Sequence, residues 1–381
     1  MAEVLIPYTP YPYQVDFHRD TTRFRIVSGG RRVGKTKCCI QEALRHCLTT
    51  PNALCWWVAP TYKEAKEIGW DELQQFIDIL GPAVKFTHST QLKVTFTNGS
   101  QMYFKGGDNP DALRGRGLTL LIGDEAAFLK DNIWGTVLRP ALSDKRGRAI
   151  LISTPNGYNW FHKIYKKDNG WSTYHWTTAM NPLIGDEEMH DVKKEISDVD
   201  FRQEYMAEFI TRAGRVYQDF NDSNVLDEFI TPSEDMWTIY LGMDFGFANP
   251  TAIAFMAYNN ITQNRVIQFD ELYVERTQLD DIITMIYDKL EAHGLTKGDI
   301  KAIYTDPAGN AEELTSGISP VDTLRMNPHN LNVVNKGSRI IPGLALVRAW
   351  IKNSEDERRY YVQSNCKETI RCMNGYQYSQ N

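Results

Sequence analysis

The stretch Gly29-Gly30-Arg31-Arg32-Val33-Gly34-Lys35-Thr36 has the spacing G-x-x-x-x-G-K-[ST] that is typical of a phosphate-binding loop. A short β-prone segment, residues 24–27, precedes it, and residues 37–44 have the pattern of a helix. In such a loop the glycines let backbone N–H groups face phosphate oxygens, and the helix N-terminus adds partial positive charge. The pattern predicts an ATP site, with Lys35 on the β- and γ-phosphates and the Thr36 hydroxyl on Mg²⁺. The alternative is an ordinary glycine-rich turn before a helix.

A second motif supplies the acids that such a site needs. The apolar run 118–123 ends in Asp124 and Glu125, as expected of a buried strand with acids at its carboxyl end. Asp124 is predicted to hold the Mg²⁺ shell, and Glu125 to polarise the attacking water as general base. A strand at 53–60, a helix at 61–80 and a hairpin that decorates the sheet are predicted between the two motifs. This layout is typical of ATPases with an added strand and a catalytic glutamate.

Three further features each have a functional and an ordinary interpretation. Ser153 and Thr154 end an apolar strand, where their hydroxyls either sense the γ-phosphate or begin a simple turn. Gln14 lies upstream of the loop, where its amide either reads the adenine edge or is solvated. Arg114 and Arg116 lie in a glycine-flanked loop, which either puts a guanidinium on a phosphate or is a solvated basic turn.

Length and composition limit the classes of protein. The 381 residues are enough for two domains, and 42% hydrophobic with 24% charged residues is typical of a soluble globular protein. No apolar run approaches the roughly 18 residues of a membrane helix, and the six cysteines show no metal-ligand spacing. The net charge of −6 confines any nucleic-acid contact to local basic strips. No membrane partner is expected.

The second half of the chain has a different pattern. After a boundary near 211–215, the sequence predicts strands at 239–246, 251–258 and 265–274, a helix at 279–293 and a strand at 300–306. Asp244 lies on the first of these strands and Asp306 ends the last, which is the outline of an RNase H-like fold. The two acids are expected to hold two divalent ions, Mg²⁺ or Mn²⁺, for phosphodiester hydrolysis. Glu271, on the third strand, is interpreted as solvated or structural.

Together these motifs resemble the large terminase subunit of tailed double-stranded DNA bacteriophages, the motor and nuclease that packages genomes. The matching segments are 29–36, 121–125, 153–155, 242–246, 304–306, 335–339 and 343–348. The resemblance implies an α/β protein with a P-loop NTPase domain at 1–213, ending in a small linker subdomain, and an RNase H-like nuclease domain at 214–381. It also implies ATP-driven translocation of viral double-stranded DNA into procapsids, with metal-dependent endonuclease cutting of concatemeric DNA. The alternatives are a helicase-type DNA remodeller and an ATP-binding docking module without motor activity.

The resemblance further implies residue roles and partners. Arg31 would contact the γ-phosphate, and Arg114 or Arg116 would act on the ATP site of a neighbour in a pentameric ring. Lys336 and Arg339 would line the DNA path beside the nuclease metals. The implied partners are viral DNA, the portal protein and a small terminase subunit, in the host cell cytoplasm with transient docking on the procapsid.

One departure from the family concerns the third metal-binding acid of the nuclease, which normally lies in a helix beyond the last strand. Glu368 is the last acid of this chain, and no acid of the final stretch has a comparable context. The sequence therefore predicts either a nuclease domain that lacks its C-terminal end or an incomplete metal site. A site with two carboxylates is expected to bind metal weakly and to cleave DNA poorly.

Overall fold

In the computed structural model the chain forms two compact units, Met1–His190 with Val199–Thr211, and Asp191–Asp198 with Arg212–Asn381. The structure describes residues 6–167, 170–210, 214–228, 230, 232, 236–246, 250–259, 261, 264–310, 318–326, 328–335, 337 and 340–378. Each unit contains its own mixed β-sheet, which confirms the α/β class. The domain boundary between 213 and 214 and the linker subdomain stay predictions.

Eight strands and eight α-helices are described between residues 12 and 204. The strands are β1 Phe24–Gly29, β2 Leu54–Ala59, β3 Val84–His88, β4 Lys93–Phe96, β5 Gln101–Gly106, β6 Leu120–Asp124, β7 Arg148–Ser153 and β8 Trp171–Trp176. The helices are α1 Pro12–Arg19, α2 Lys35–Thr49, α3 Tyr62–Glu64, α4 Asp71–Leu80, α5 Arg139–Ala141, α6 Trp160–Lys166, α7 Asp186–Glu195 and α8 Asp198–Glu204. A π-helical segment, Ala65–Trp70, joins α3 to α4, so wider turns interrupt the helix predicted at 61–80.

The sheet of the first unit places the phosphate-binding loop at its carboxyl edge. The strand order is β3-β4-β5-β2-β6-β7-β1-β8, and every neighbouring pair from β5 to β8 is parallel. The central strands are buried because helices cover both faces, with α2 and α4 in one core cluster and α6 in the other. The loop runs from the end of β1 to the start of α2, as the sequence predicts.

The hairpin predicted to decorate this sheet is instead built into it. β4 pairs antiparallel with β5 across the turn at Asn98–Gly99, as expected. β5 also pairs in parallel with β2, and this pairing sets Trp57 opposite Phe104. Met102 and Phe104 are buried in the core that also contains Trp57. The alternating pattern therefore predicts the strands correctly, but the apolar face of β5 makes it a structural part of the sheet.

The second unit has a mixed sheet of seven strands. Its strands are β9 Val225–Leu226, β10 Thr238–Asp244, β11 Thr251–Asn259, β12 Arg265–Val274, β13 Ile300–Thr305, β14 Val333–Asn335 and β15 Tyr360–Gln363. Its helices are α9 Leu279–Ala292, α10 Pro320–Arg325, α11 Ile340–Ile351 and α12 Lys367–Gly375. Across the described parts of both units, none of the helices combines the length and apolar character needed to span a bilayer.

The strand order of this second sheet, β14-β13-β10-β11-β12-β15-β9, confirms the predicted RNase H-like outline. β10, β11 and β12 form an antiparallel meander, and β13 joins β10 in parallel after the helix α9. Apolar side chains of these strands pack with α9 and α10 in one core cluster. Because β10 and β13 are parallel neighbours, their carboxyl ends lie at the same edge of the sheet.

Candidate functional site

The carbonyl groups of the phosphate-binding loop are all occupied by hydrogen-bond donors. Lys35 Nζ donates to the carbonyl oxygens of Gly29 and Gly30, at 2.7 and 2.9 Å. Four side chains from outside the loop supply the remaining bonds: Thr178 Oγ1 to Arg31 O, Asn181 Nδ2 to Arg32 O, Tyr13 OH to Val33 O and Gln14 Nε2 to Gly34 O. Six consecutive carbonyls are therefore held by donors, which fixes the orientation of the peptide planes.

The N–H groups of the same loop are mostly left without acceptors. Gly30 N donates to Trp176 O, and Arg31 N donates to Glu204 O. From Arg32 to Thr36, no N–H donates to any atom of the described residues. Gly34 has φ +86°, a left-handed conformation that suits glycine. Five unpaired N–H groups before and within the first turn of a 15-residue helix make an anion-binding concavity.

Lys35 is held inside this concavity by protein atoms alone. Its side chain is only 7% exposed, and Nζ also lies 3.4 Å from Thr154 Oγ1. Burial lowers the pKa of Lys35, while the charges of Glu125 and Asp124 act in the opposite direction. A Cβ atom on Gly29 would lie 2.6 Å from Lys35 Cδ, so the glycine gives the lysine its path.

Asp124 has a free oxygen in a buried position. Its side chain is 1% exposed, and its Oδ1 accepts from the N–H of Glu125 at 3.0 Å. The Oδ2 atom is buried and has no partner among the described residues. Burial, followed by the charge of Glu125, raises the pKa of Asp124 to about 7. A buried carboxylate oxygen without a donor suits a divalent cation, and the half-buried Thr36 has a hydroxyl with no described partner.

The predicted general base is bonded to the predicted γ-phosphate sensor. Glu125 has φ 44° and ψ 46°, a left-handed conformation at the strand end that is uncommon for this residue type. Its Oε2 accepts from Ser153 Oγ at 3.1 Å and from the N–H of Thr154 at 3.2 Å. Ser153 and Thr154 are both buried, so the sequence-predicted sensor residues and base form one connected group.

The structure corrects one interpretation of Gln14. The side chain is 2% exposed, so the solvated alternative is wrong. Its Oε1 accepts from Tyr11 N at 3.0 Å and from Tyr8 OH at 3.1 Å, while its Nε2 donates to the loop. The oxygen of this amide is bonded to the segment at the start of α1 and its nitrogen to Gly34 O, so Gln14 links α1 to the phosphate-binding loop. Its contact with adenine stays a prediction.

The three arginines with predicted phosphate roles have other partners here. Arg31 is 64% exposed and its Nε lies 2.7 Å from Glu204 Oε2. Arg114 Nε lies 2.9 Å from Asp111 Oδ1, and the Arg116 guanidinium lies over the ring of Tyr103, 5.4 Å from its centroid. Arg114 and Arg116 have no hydrogen bond to the phosphate-binding loop within the described residues. Their roles in catalysis stay predictions.

Three residues that support the loop had not been identified from the sequence. Thr178 and Asn181 follow β8, and Glu204 is the last residue of α8. Each lies more than 140 positions from the loop residue that it contacts. No local pattern marks such residues, because their role depends on β8 pairing with β1.

The second unit brings Asp244 and Asp306 to one sheet edge. β10 pairs with β13 so that Met243 lies opposite Thr305, one residue before each aspartate. Both side chains are exposed. Burial and then the charge of Asp306 raise the pKa of Asp244, as expected when two carboxylates share a site. Asn335 Nδ2 donates to the backbone carbonyl of Asp306.

The nearby acids are engaged elsewhere. Glu271 caps α12: its Oε1 accepts from Glu368 N, and its Oε2 from Thr369 N and Oγ1, each at 2.8 Å. Glu368 pairs with Arg371 at 2.7 Å. Among the described residues, no group of three His, Cys, Asp or Glu side chains is placed to hold a metal ion. The binding of two divalent ions by Asp244 and Asp306 stays a prediction. Lys336 and Arg339 lie outside the described residues.

Comparisons with known proteins find relatives that cover both halves of the chain. The family model "Terminase large subunit, T4likevirus-type, N-terminal" matches residues 26–222. The large terminase subunit of Escherichia phage T5 is 25% identical over 369 residues, covering 93% of this chain and 79% of that protein. The large terminase subunit of Thermus phage G20c is 30% identical over 251 residues, covering 56% of this chain and 51% of that protein.

Solved structures show the same fold over almost the whole chain. The large terminase of a thermophilic bacteriophage superposes with a TM-score of 0.68 at 17% identity, covering 98% of this chain and 92% of that chain. The same phage protein in complex with ADP gives a TM-score of 0.65 at 17% identity, with 96% and 91% covered. At this level of identity the agreement concerns the fold.

Proposed function

The chain belongs to the terminase large subunit family, and on that premise we propose that it is an ATP-driven motor that moves viral double-stranded DNA into procapsids. The observation that carries the proposal is the phosphate-binding loop, whose carbonyls are all bonded and whose N–H groups from Arg32 to Thr36 are free to bind an anion. The ADP complex of the relative from the thermophilic phage supports a nucleotide as the ligand.

Each site residue has a definite task in ATP hydrolysis. The loop N–H groups and Lys35 bind the β- and γ-phosphates and stabilise the negative charge that develops on them. Thr36 and Asp124 would hold Mg²⁺, which would supply further positive charge on the phosphate oxygens. Glu125 accepts the proton of the attacking water. Since Glu125 now accepts from Ser153 and Thr154, binding of the γ-phosphate beside Thr154 would release the base for this task.

The motor proposal is tested by replacing the base while keeping its shape. Glu125→Gln retains an oxygen for the bonds to Ser153 and Thr154, so ATP binding should persist. Steady-state ATP turnover should fall at least about 100-fold, since a positioned general base contributes roughly that much. Glu67→Gln, an exposed glutamate in the same unit, is the control. Turnover that survives Glu125→Gln would show that another group is the base, and a wild-type chain without turnover would favour the docking module.

We propose in addition that the edge with Asp244 and Asp306 is a metal-dependent endonuclease site. The supporting observation is the parallel pairing of β10 and β13, which brings the two carboxylates together. With two carboxylates the chain should nick supercoiled plasmid slowly in Mn²⁺, and Asp244→Asn should remove the nicking while ATP turnover is unchanged. Rapid cutting would contradict a metal site of only two carboxylates, and nicking that survives Asp244→Asn would contradict the assignment of the site.

The proposed assembly follows from the family. The partners are viral DNA, the portal protein and a small terminase subunit, and several copies would form a ring, a pentamer, docked on the procapsid in the host cytoplasm. Arg114 and Arg116 are exposed in the loop before β6, as a residue that acts on a neighbour's ATP site must be. The ATP turnover rate per chain should rise with protein concentration in the wild type, as the ring assembles. Of Arg114→Ala and Arg116→Ala, the variant that loses this rise identifies the arginine that acts on a neighbour.

A further inference from the structure

A cavity of about 450 Å³ lies at the amino end of the parallel sheet, the edge opposite the phosphate-binding loop. The starts of β1, β6 and β7 reach it through Arg25, Leu120 and Arg148. The loop after α1 and the last turns of α2 complete its wall. We call it the amino-edge cavity. Four arginines and two histidines line it: Arg19, Arg25, Arg45, Arg148, His18 and His46.

Two of these guanidinium groups have buried N–H donors without acceptors. Arg25 is 1% exposed, donates to Phe17 O and to Glu42, and has a buried Nε with no described partner. Arg148 donates to Asp20 O, and its Nε is also buried without a partner. An unpaired buried donor on a charged group is unfavourable. Both Nε atoms are themselves inaccessible to solvent, but the burial of two cationic groups beside one cavity is a cost that an anion bound in the cavity would offset.

The acids of the cavity do not offset its positive charge. Glu42 accepts from Arg25, Arg45 and His18, and these contacts, against the effect of burial, lower its pKa to about 2. Asp20 accepts from Thr22 N and from Tyr174 OH. With the histidines neutral, four arginines face two carboxylates, which leaves a net charge of +2 in the lining. Each carboxylate is already bonded, so neither is available to the unpaired Nε–H groups.

We propose that the amino-edge cavity is a second anion site, which binds a phosphate group through Arg148 and Arg19, beside the buried charge of Arg25. Planar guanidinium groups are well suited to tetrahedral oxyanions because their N–H donors form a fixed fork. The pKa of Arg148 is lowered by burial and then by the charges of neighbouring arginines, so a bound anion would relieve that repulsion. The phosphate is either free inorganic phosphate or a backbone phosphate of DNA.

The site is tested with inorganic phosphate on the full chain by titration calorimetry. The phosphate-binding loop also binds phosphate, so Lys35→Ala is the parent variant and removes that contribution. The parent should retain one saturable phosphate site. Adding Arg148→Gln should weaken that site at least about tenfold, as expected for losing a charged hydrogen-bond partner. Adding Arg139→Gln should leave it unchanged, because Arg139 lies over the ring of Phe24 and does not line the cavity.

Two results would overturn the proposal: a Lys35→Ala chain without saturable phosphate binding, or an Arg148→Gln addition that leaves the dissociation constant unchanged. If circular dichroism shows that Arg148→Gln does not fold, Arg19→Gln takes its place. Arg19 is exposed and has no described side-chain bond, so its replacement should weaken phosphate binding about threefold without affecting the fold. An unchanged constant in that variant would equally overturn the proposal.

A second arm separates the two sources of the phosphate. The affinity for a short double-stranded oligonucleotide is measured across a series of salt concentrations, with and without Arg148→Gln. If the site binds a DNA backbone phosphate, the salt slope should fall by about one, since one phosphate contact is lost. An unchanged slope, with the tenfold loss of phosphate affinity retained, would identify free phosphate as the ligand.

Discussion

The two proposed sites differ in how far the protein has assembled them before any ligand is bound. At the phosphate-binding loop, side chains of α1 and of the segment after β8 hold the carbonyls, and the lysine is buried in position. At the edge of the second sheet, Asp244 and Asp306 are exposed, and no third acid of the described residues joins them. One site is preorganised, and the other is not.

The difference shows where each site obtains its affinity. Preorganised N–H groups stabilise phosphate charge without reorganising during the reaction. A buried carboxylate such as Asp124, with an unpaired Oδ2, is unfavourable without a cation, so its burial would add to the driving force for the proposed binding of Mg²⁺. Asp244 is solvated and loses less by staying unbound, so its metal affinity depends on how many ligands surround the ion.

The largest effect is expected at Lys35. Lys35→Ala removes the cation that contacts two loop carbonyls and the incoming phosphates, and ATP turnover should fall about 10³-fold or more. The measurement is steady-state phosphate release, with circular dichroism as the check on folding. Lys37→Ala is the matched control, because Lys37 lies two residues later and is exposed. Turnover within tenfold of the wild type would show that the loop is not the catalytic site.

The next effect concerns the pH dependence of stability at Asp124. Its pKa is about 7 in the folded chain and near 4 when unfolded. Because folding raises the pKa of this carboxyl, its contribution to the free energy of unfolding is fully present below the pKa of the unfolded chain. That contribution is lost as the pH rises through about 7, the pKa in the folded chain. Asp124→Asn should therefore stabilise the nucleotide-free chain at pH 8 by roughly 2–4 kcal/mol, and the difference should shrink steadily toward pH 5.

Chemical denaturation at several pH values measures this difference. When Mg²⁺ and ATP are added at pH 8, the wild type should become more stable than Asp124→Asn, because only the wild type offers a carboxylate to the ion. A variant that is less stable than the wild type at pH 8 without ligand would show that Asp124 has a donor that the structure does not include.

A smaller effect is expected at the second site. Asp244→Asn removes one of two carboxylates and should weaken Mn²⁺ binding about tenfold. The substitution also removes the repulsion between the carboxylates of residues 244 and 306, which together with burial raises the pKa of Asp244 in the wild type. Paramagnetic relaxation of water protons measures the affinity, and Asp281→Asn, an exposed acid on α9, is the control. Submicromolar Mn²⁺ affinity in the wild type would mean that more ligands reach the ion than the described residues supply.

The same contrast explains which features could be predicted from the sequence. The loop, Asp124 and Glu125 are local patterns, since one strand, one turn and one helix determine them. Asp244 and Asp306 were predictable because strands that carry acids at corresponding ends become neighbours in a known topology. Their juxtaposition on β10 and β13 follows from that order alone.

Other features depend on contacts that only the folded chain makes. Gln14 resembles a solvated residue in sequence, yet its amide is buried because α1 packs beside the loop. The segment with β5 resembles a surface hairpin, but its apolar face completes a sheet next to β2. Asn181 carries no signal at all, because an asparagine between Met180 and Pro182 is an ordinary turn residue until β8 places it against the loop.

Asn181 therefore provides the finest test of preorganisation. Its Nδ2 donates to Arg32 O at 2.7 Å, its Oδ1 accepts from Leu183 N at 3.0 Å, and the side chain is 8% exposed. Asn181→Ala leaves the Arg32 carbonyl without its donor, which costs about 1 kcal/mol. The KM for ATP should rise about fivefold with kcat within twofold of the wild type, because the bond orients the loop equally in ground and transition states.

Asn109→Ala is the control, since Asn109 is exposed and has no described side-chain bond. A fall in kcat with an unchanged KM would contradict the interpretation, because it would mean that the loop takes up its final orientation only during hydrolysis. In that case the phosphate-binding loop would resemble the site at Asp244 and Asp306, because each site would be completed only when its ligand binds.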